Sequence, residues 1–115
     1  MNVSSGSFAA PTATVELEVK GKLKRLAVMG DGPVDATFKA IKKLTGMKPY
    51  LVNYSVGSIT GGTDALGECT VRLEHEGHEV LGQGSHSDII VASAKAYINA
   101  LNKALDVAQR TKVEI

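Results

Sequence analysis

The stretch Thr14-Val15-Glu16-Leu17-Glu18-Val19-Lys20-Gly21 returns 56 residues later as Thr70-Val71-Arg72-Leu73-Glu74-His75-Glu76-Gly77. Val15, Leu17 and Val19 alternate with charged residues, the two-residue period of a half-buried strand, and the glycine marks a turn. The same shift, without a gap, carries Ala36, Lys39 and Ala40 onto Ala92, Lys95 and Ala96, and sets Val34 on Ile90 and Thr37 on Ser93. A hairpin followed by a helix therefore occurs twice, as in an internal duplication.

Working outward, strands are predicted over 12–20 and 23–29, with Leu26 and Val28 on one face. Val34, Phe38, Ile41 and Thr45 then recur at helical spacing over 33–45, and Gly46 with Pro49 stops that helix. A strand follows over 50–59, its Leu51, Asn53 and Ser55 facing away from Val52, Tyr54 and Val56. Residues 66–76 and 78–81 form a hairpin around Gly77. Gly82 and Gly84 lead into a second helix, capped by Ser87 or Asp88. Its apolar stripe is Ile90, Ala94, Tyr97, Ile98, Leu101 and Leu105, with 112–115 as a frayed end.

A strand precedes the second hairpin, so the duplication requires one before the first. The Ser-rich residues 2–5, which alone read as a tail, resemble 54–58 and supply it. The expected fold is α+β: two pseudo-repeated βββα units, about 1–46 and 50–108, with helices packed on antiparallel sheets in one domain of 115 residues.

A formal charge of +1 gives no electrostatic reason to expect nucleic acid or an acidic membrane as partner. Strand, hairpin and helix in that order are also the plan of a double-stranded-RNA-binding domain. That module needs a lysine cluster opening its last helix, where this chain has Asp88 and apolar residues. Cys69 is the single cysteine, which excludes an internal disulfide and fits a reducing compartment. No apolar run reaches the roughly 18 residues of a membrane span, and no secretory signal pattern is visible. A cytoplasmic domain is expected.

The residues that invite chemistry lie before the two helices. Gly30 and Gly32 bracket Asp31, Pro33 suits the first helical position, and Asp35 puts a carboxylate where the helix dipole favours it. Such a bare helix start suits a small molecule's carboxylate. The duplication sets Gly84-Ser85-His86-Ser87 at the equivalent place, so paired helix starts are expected to build the site. His75 and His78 flank a turn with no further ligand at zinc spacing. Ser85, His86, Ser87 and Asp88 share one turn and cannot form a nucleophile–base–orienter line. No catalytic residue and no metal site is expected. Cys69 reads as a small hydrophobe.

Several motifs then have a family look: Gly30-Asp31-Gly32-Pro33-Val34-Asp35-Ala36, Leu51-Val52-Asn53-Tyr54-Ser55-Val56, Asp64-Ala65-Leu66-Gly67, Gly82-Gln83-Gly84, and Ser87-Asp88-Ile89-Ile90 before Ala92-Ser93-Ala94-Lys95-Ala96. Together, over residues 3–108, they resemble the C-terminal regulatory domain of 2-isopropylmalate synthase, a domain shared by citramalate synthases. The resemblance implies a homodimeric allosteric domain that binds the end-product amino acid and feeds back on an N-terminal catalytic TIM barrel. Nothing in these residues corresponds to that barrel, so its divalent metal is not expected here and the chain by itself is not expected to be an enzyme. By carry-over the effector residues are Gly30, Gly32, Pro33, Val34, Asp35, Leu51, Tyr54, Ser58, Ala65, Gly67, His86, Ser87, Asp88 and Ile89. Helix N–H groups at 32–35 or 87–89 would take the carboxylate, Asp35 or backbone carbonyls the ammonium, and Leu51, Ala65 and Ile89 an aliphatic side chain. Val34 follows the isopropylmalate-synthase pattern, so the resemblance favours leucine over isoleucine. A module that only dimerises is the other reading it leaves open.

Overall fold

In a computed structural model the described residues are 2–6, 9–19, 21–59 and 66–113, with the backbone alone described for 2–6, 9–12, 58–59 and 107–113. The chain divides into two compact units, residues 1–48 and 49–115. The first holds β1 (Asn2–Gly6), β2 (Ala9–Val19), β3 (Lys22–Met29) and α1 (Pro33–Thr45). The second holds β4 (Tyr50–Ile59), β5 (Leu66–His75), β6 (His78–His86) and α2 (Ile89–Val113). Each unit is a three-stranded antiparallel meander, ordered β1-β2-β3 or β4-β5-β6, with its helix on one face. The fold is α+β in a repeated strand–strand–strand–helix pattern.

Strand register preserves the duplication. Ala13 pairs Val28 and Val15 pairs Leu26 in the first unit; Cys69 pairs Gly84 and Val71 pairs Gly82 in the second. Each of these positions differs from its counterpart by the same 56 residues. The leading strands match at another offset, 53, since Val3 pairs Ala13 as Val56 pairs Cys69. Counted between these equivalent pairs, the second unit therefore has three more residues than the first. Glu76 and Gly77, both at positive φ (51° and 80°), make the two-residue turn that suits the strand twist of a hairpin.

Burial corrects the predicted helical stripes. On α1 the buried residues are Ala36, Thr37, Phe38, Ala40, Ile41 and Leu44, whereas Val34 and Thr45 are half-buried. The inward face is thus centred on small residues rather than on the largest hydrophobes, because a helix laid flat on a sheet needs short side chains at closest approach. On α2 Ala94, Tyr97 and Leu101 of the expected stripe are buried, together with Ala92, Ser93, Ala96, Ala100 and Ala104, while Leu105 is 46% exposed and Ile90 and Ile98 are half-buried. The helix also continues through residues 112–113, expected as a frayed end.

Three strand expectations change as well. β2 begins at Ala9, earlier than its alternating pattern shows. β6 runs on to His86, so Gly82 and Gly84 belong to a strand and not to a loop. A Cβ on Gly84 would lie 2.5 Å from Ala92 O and 2.6 Å from Ala96 N, and one on Gly82 would collide with Ala96 O. These glycines let α2 rest on the backbone of β6. α2 accordingly lies chiefly over β6, then β5, whereas α1, facing Leu26 and Val28 on β3, lies chiefly over β2. Finally, an irregularity between Leu51 and Asn53 leaves Val52 without a cross-strand partner. Leu51, opposite Leu73, and Tyr54, opposite Val71, thereby share the inward face, which simple alternation had placed on opposite sides.

α2 also closes the outer edge of its sheet. Asn99 Oδ1 accepts the Gln83 N–H at 3.1 Å, and Lys103 Nζ donates to Leu81 O at 2.8 Å. These bonds occupy edge groups of β6 that would otherwise be open to another strand. Among the described residues no helix is long and apolar enough to cross a membrane.

Candidate functional site

α1 begins without a side-chain cap. Gly32 is the N-cap, in extended backbone (φ −158°), and its carbonyl accepts the Ala36 N–H at 2.9 Å. A Cβ at Gly32 would meet nothing within 4 Å, so neither backbone conformation nor packing demands glycine here. Serine, aspartate or asparagine would fit and would satisfy an N–H of the first turn. Their absence leaves the Val34 and Asp35 N–H groups without a side-chain cap among the described residues. Pro33 at the first helical position has no N–H to satisfy.

Gly30 has a different reason. A Cβ there would lie 2.5 Å from Ala36 N and 2.6 Å from Asp35 Oδ2. It makes room for the Asp35 carboxylate, whose Oδ2 accepts the Asp31 N–H at 2.9 Å and pairs with Lys39 Nζ at 3.1 Å. The Asp31 N–H holds the Asp35 carboxyl below its ordinary value; burial opposes this, and Lys39 lowers it further. Asp35 thus fastens the turn to its own helix.

α2 begins at the equivalent place with different chemistry. Asp88 is its N-cap: Asp88 Oδ1 accepts the Ile90 N–H at 2.9 Å, and Asp88 O accepts the Ala92 N–H at 3.0 Å. His86 Nδ1 accepts the Asp88 N–H at 2.9 Å, which puts the ring's acceptor nitrogen on the turn. Ser87 is exposed beside it. Ile89 lies against Gly67, where a Cβ would collide with Ile89 Cδ1. The paired glycine-loop helix starts expected from the sequence are therefore unlike: one is open, and the other is closed by its own aspartate.

Behind the start of α2, Tyr54 on β4 reaches inward. Its hydroxyl lies 2.5 Å from Ser93 Oγ and 3.8 Å from Cys69 Sγ. Ser93 Oγ donates to Ile89 O at 2.7 Å, and Cys69 Sγ stands 3.3 Å from Ser93 Oγ and 3.7 Å from Ile89 O. Burial raises the Tyr54 hydroxyl above its ordinary value, and the Ser93 bond opposes this in part. Cys69, read as a small hydrophobe, is fully buried and also in thiol contact with this cluster. Ser93 was not among the predicted site residues. The one signal for it is that the duplication keeps a hydroxyl, Thr37 or Ser93, within a run of small apolar residues.

The predicted residues therefore fall into two sets. Gly30, Gly32, Pro33, Val34 and Asp35 meet at the start of α1, in the first unit. Gly67, His86, Ser87, Asp88 and Ile89 meet at the start of α2, where Tyr54 arrives from β4; Leu51 stands two pairs further along the same strand face. Ala65 and the side chain of Ser58 lie outside the described residues. A polar depression of about 320 Å³ on the second sheet, lined by Ser55, Val56, Gly57, Glu68 and Thr70, contains none of them. Among the described residues no three His, Cys, Asp or Glu side chains gather as metal ligands would.

Residues 1–105 match the LeuA allosteric (dimerisation) domain. The chain belongs to that family. As a LeuA allosteric domain it corresponds to a regulatory and dimerisation module and not to the catalytic part of an enzyme. It is 54% identical over 103 residues to a 2-isopropylmalate synthase of Syntrophus aciditrophicus (strain SB), covering 90% of this chain and 20% of the relative. It is 51% identical over 110 residues to that of Hydrogenovibrio crunogenus, covering 96% of this chain and 21% of the relative. A 2-isopropylmalate synthase of Nitratidesulfovibrio vulgaris (strain DSM 19637 / Miyazaki F) is 55% identical over 93 residues, 81% of this chain and 18% of the relative. The chain spans about a fifth of the length of the curated relatives it matches.

Proposed function

We propose that this LeuA domain is a feedback sensor for leucine biosynthesis, binding leucine and bringing two copies together, while catalysis resides in a separate N-terminal barrel of a 2-isopropylmalate synthase. The observation that carries the reading is the open start of α1. The Val34 and Asp35 N–H groups carry the helix's positive end and have no side-chain cap, and Gly32 keeps the approach clear. A free amino acid's carboxylate is the complementary group. Asp35 and nearby backbone carbonyls are the acceptors proposed for its ammonium. The names of the relatives support leucine over isoleucine, the effector that a citramalate synthase domain would take.

Self-association has support of its own. α2 covers β6 and β5, while β4 leaves Leu51, Val52 and Val56 between 41% and 50% exposed. Apolar side chains in a row on an edge strand suit a protein partner.

Thermal melting of the chain with leucine, isoleucine and valine, at several protein concentrations, tests both parts. Leucine at 100 times its dissociation constant adds about 2.7 kcal/mol of stability. A melting temperature unmoved by all three amino acids rejects the sensor reading. A melting temperature that rises with protein concentration, with or without leucine, supports the dimer.

A further inference from the structure

β3 and β6 are equivalent edge strands, yet only one of them is closed. On β6, α2 occupies two outward backbone groups, the Gln83 N–H through Asn99 and the Leu81 carbonyl through Lys103. The 56-residue offset makes Ala27 and Arg25 the counterparts of Gln83 and Leu81, in hairpins of the same register. Their closers are missing. Lys43 stands where Asn99 does and carries no acceptor, and Met47 stands where Lys103 does, beyond the end of α1 at Thr45. Among the described residues no backbone group outside its own sheet bonds β3. The strand also carries Leu23, 72% exposed, and Met29, 64% exposed, on the face turned away from α1, whereas Val28 is buried beneath the helix and Leu26 half-buried.

We infer that β3 is a self-complementary edge: β3 of a second copy adds to it antiparallel, about a twofold axis at Leu26, and joins two first-unit sheets into one of six strands. The outward N–H and C=O groups lie on alternate residues, by equivalence with β6 on Leu23, Arg25, Ala27 and Met29. An odd residue must therefore meet an odd one. Centring on Leu26 sets Arg25 on Ala27 and Leu23 on Met29, so the two exposed apolar side chains cover each other on both sides of the axis. Lys24 then meets Val28, and no two cations oppose. A copy centred on Arg25 or on Lys24 sets that cation against itself, and one centred on Ala27 sets Arg25 against Met29. Charges that keep an edge strand from indiscriminate pairing here select a single register. The inference goes beyond the sensor reading, since it needs no effector and uses neither β4 nor a helix start.

Two single-cysteine variants test the register, Leu23→Cys and Met29→Cys, both at exposed positions, with the native Cys69 buried. Mixed and mildly oxidised, they are expected to form a disulfide-linked heterodimer. Each alone should cross-link at least about tenfold less, because its own two thiols stand six residues, about 20 Å, apart along the paired strands. Sedimentation and hydrogen exchange over a range of protein concentrations test the bond pattern, on the wild-type chain and on Ala27→Pro. Proline deletes one outward N–H, which an edge strand tolerates, so the variant should keep the wild-type circular dichroism and associate at least about tenfold more weakly. In wild type the amides of Leu23, Arg25, Ala27 and Met29 should gain protection as concentration rises. If Ala27→Pro does not fold, the cysteine pair and these amides decide. Equal cross-linking in the mixture and in the separate chains overturns the inference. So do wild-type dimers in which the four amides stay unprotected; their contact belongs to β4, and the self-association reading stands. A wild-type chain that remains monomeric at every concentration overturns both. Failure to bind any branched-chain amino acid removes the sensor reading and leaves this inference in place.

Discussion

The carboxylate of Asp35 holds the backbone N–H of Asp31 at 2.9 Å, four residues back across the turn that opens α1. The bond lowers the Asp35 pKa, and Lys39 at 3.1 Å lowers it further. The folded value lies below the unfolded one, so the stabilisation is complete above the ordinary aspartate pKa of about 3.9 and is lost as pH falls through the folded value. Asp35→Asn should therefore cost about 0.5–1 kcal/mol at neutral pH, kept small by the group's exposure, and almost nothing near pH 2. Denaturant melts of both proteins at the two pH values measure it; a gap that persists in acid shows that charge is not the cause.

Gly30 and Gly32 should separate sharply. Gly30→Ala drives a methyl group into Ala36 N and Asp35 Oδ2 and should destabilise by about 1–3 kcal/mol. Gly32→Asp meets open space and supplies the missing cap, raising stability by a few tenths of a kcal/mol. Its carboxylate then occupies the N–H groups assigned to the effector, so leucine affinity should fall at least about tenfold. A capped, more stable variant with wild-type affinity would take the start of α1 out of the site.

Asp88 offers the converse case. It already caps α2 through the Ile90 N–H, so Asp88→Ala should cost about 1 kcal/mol, read as a lower denaturation midpoint at unchanged slope. Asp88→Asn keeps an acceptor oxygen and should retain most of that stability. Equal losses in the two variants point to the charge at the helix end and not to the bond.

Gly84→Ala tests how closely α2 rests on β6. The added Cβ would lie 2.5 Å from Ala92 O and 2.6 Å from Ala96 N, both backbone atoms of a helix that cannot yield locally. A loss of about 1–3 kcal/mol or more is expected. A neutral substitution means that α2 can ride higher on its sheet.

The 56-residue repeat was legible because it is a one-dimensional signal, and it carried the three-strand plan, while helical spacing stopped by Gly46 carried α1 with its bounds. The role of Gly82 and Gly84 was not. A glycine required by a loop and one required by a helix backbone resting on a strand look alike in sequence. The site divided in the same way. Glycines and a proline marked both helix starts, but a cap depends on where a side-chain oxygen arrives, so Asp88 closing one start and Gly32 leaving the other open appear only in three dimensions.

The sequence by itself determined the duplication, the α+β plan and the family, since these rest on residue type and spacing along the chain. Tertiary structure decided which way the chemistry points. The irregularity at Val52 turned Leu51 and Tyr54 to one face, and the approach of α2 to its sheet brought Ser93 beneath Tyr54, 39 residues away in sequence. Pairing across that distance depends on how a helix sits on strands, and no local pattern records it.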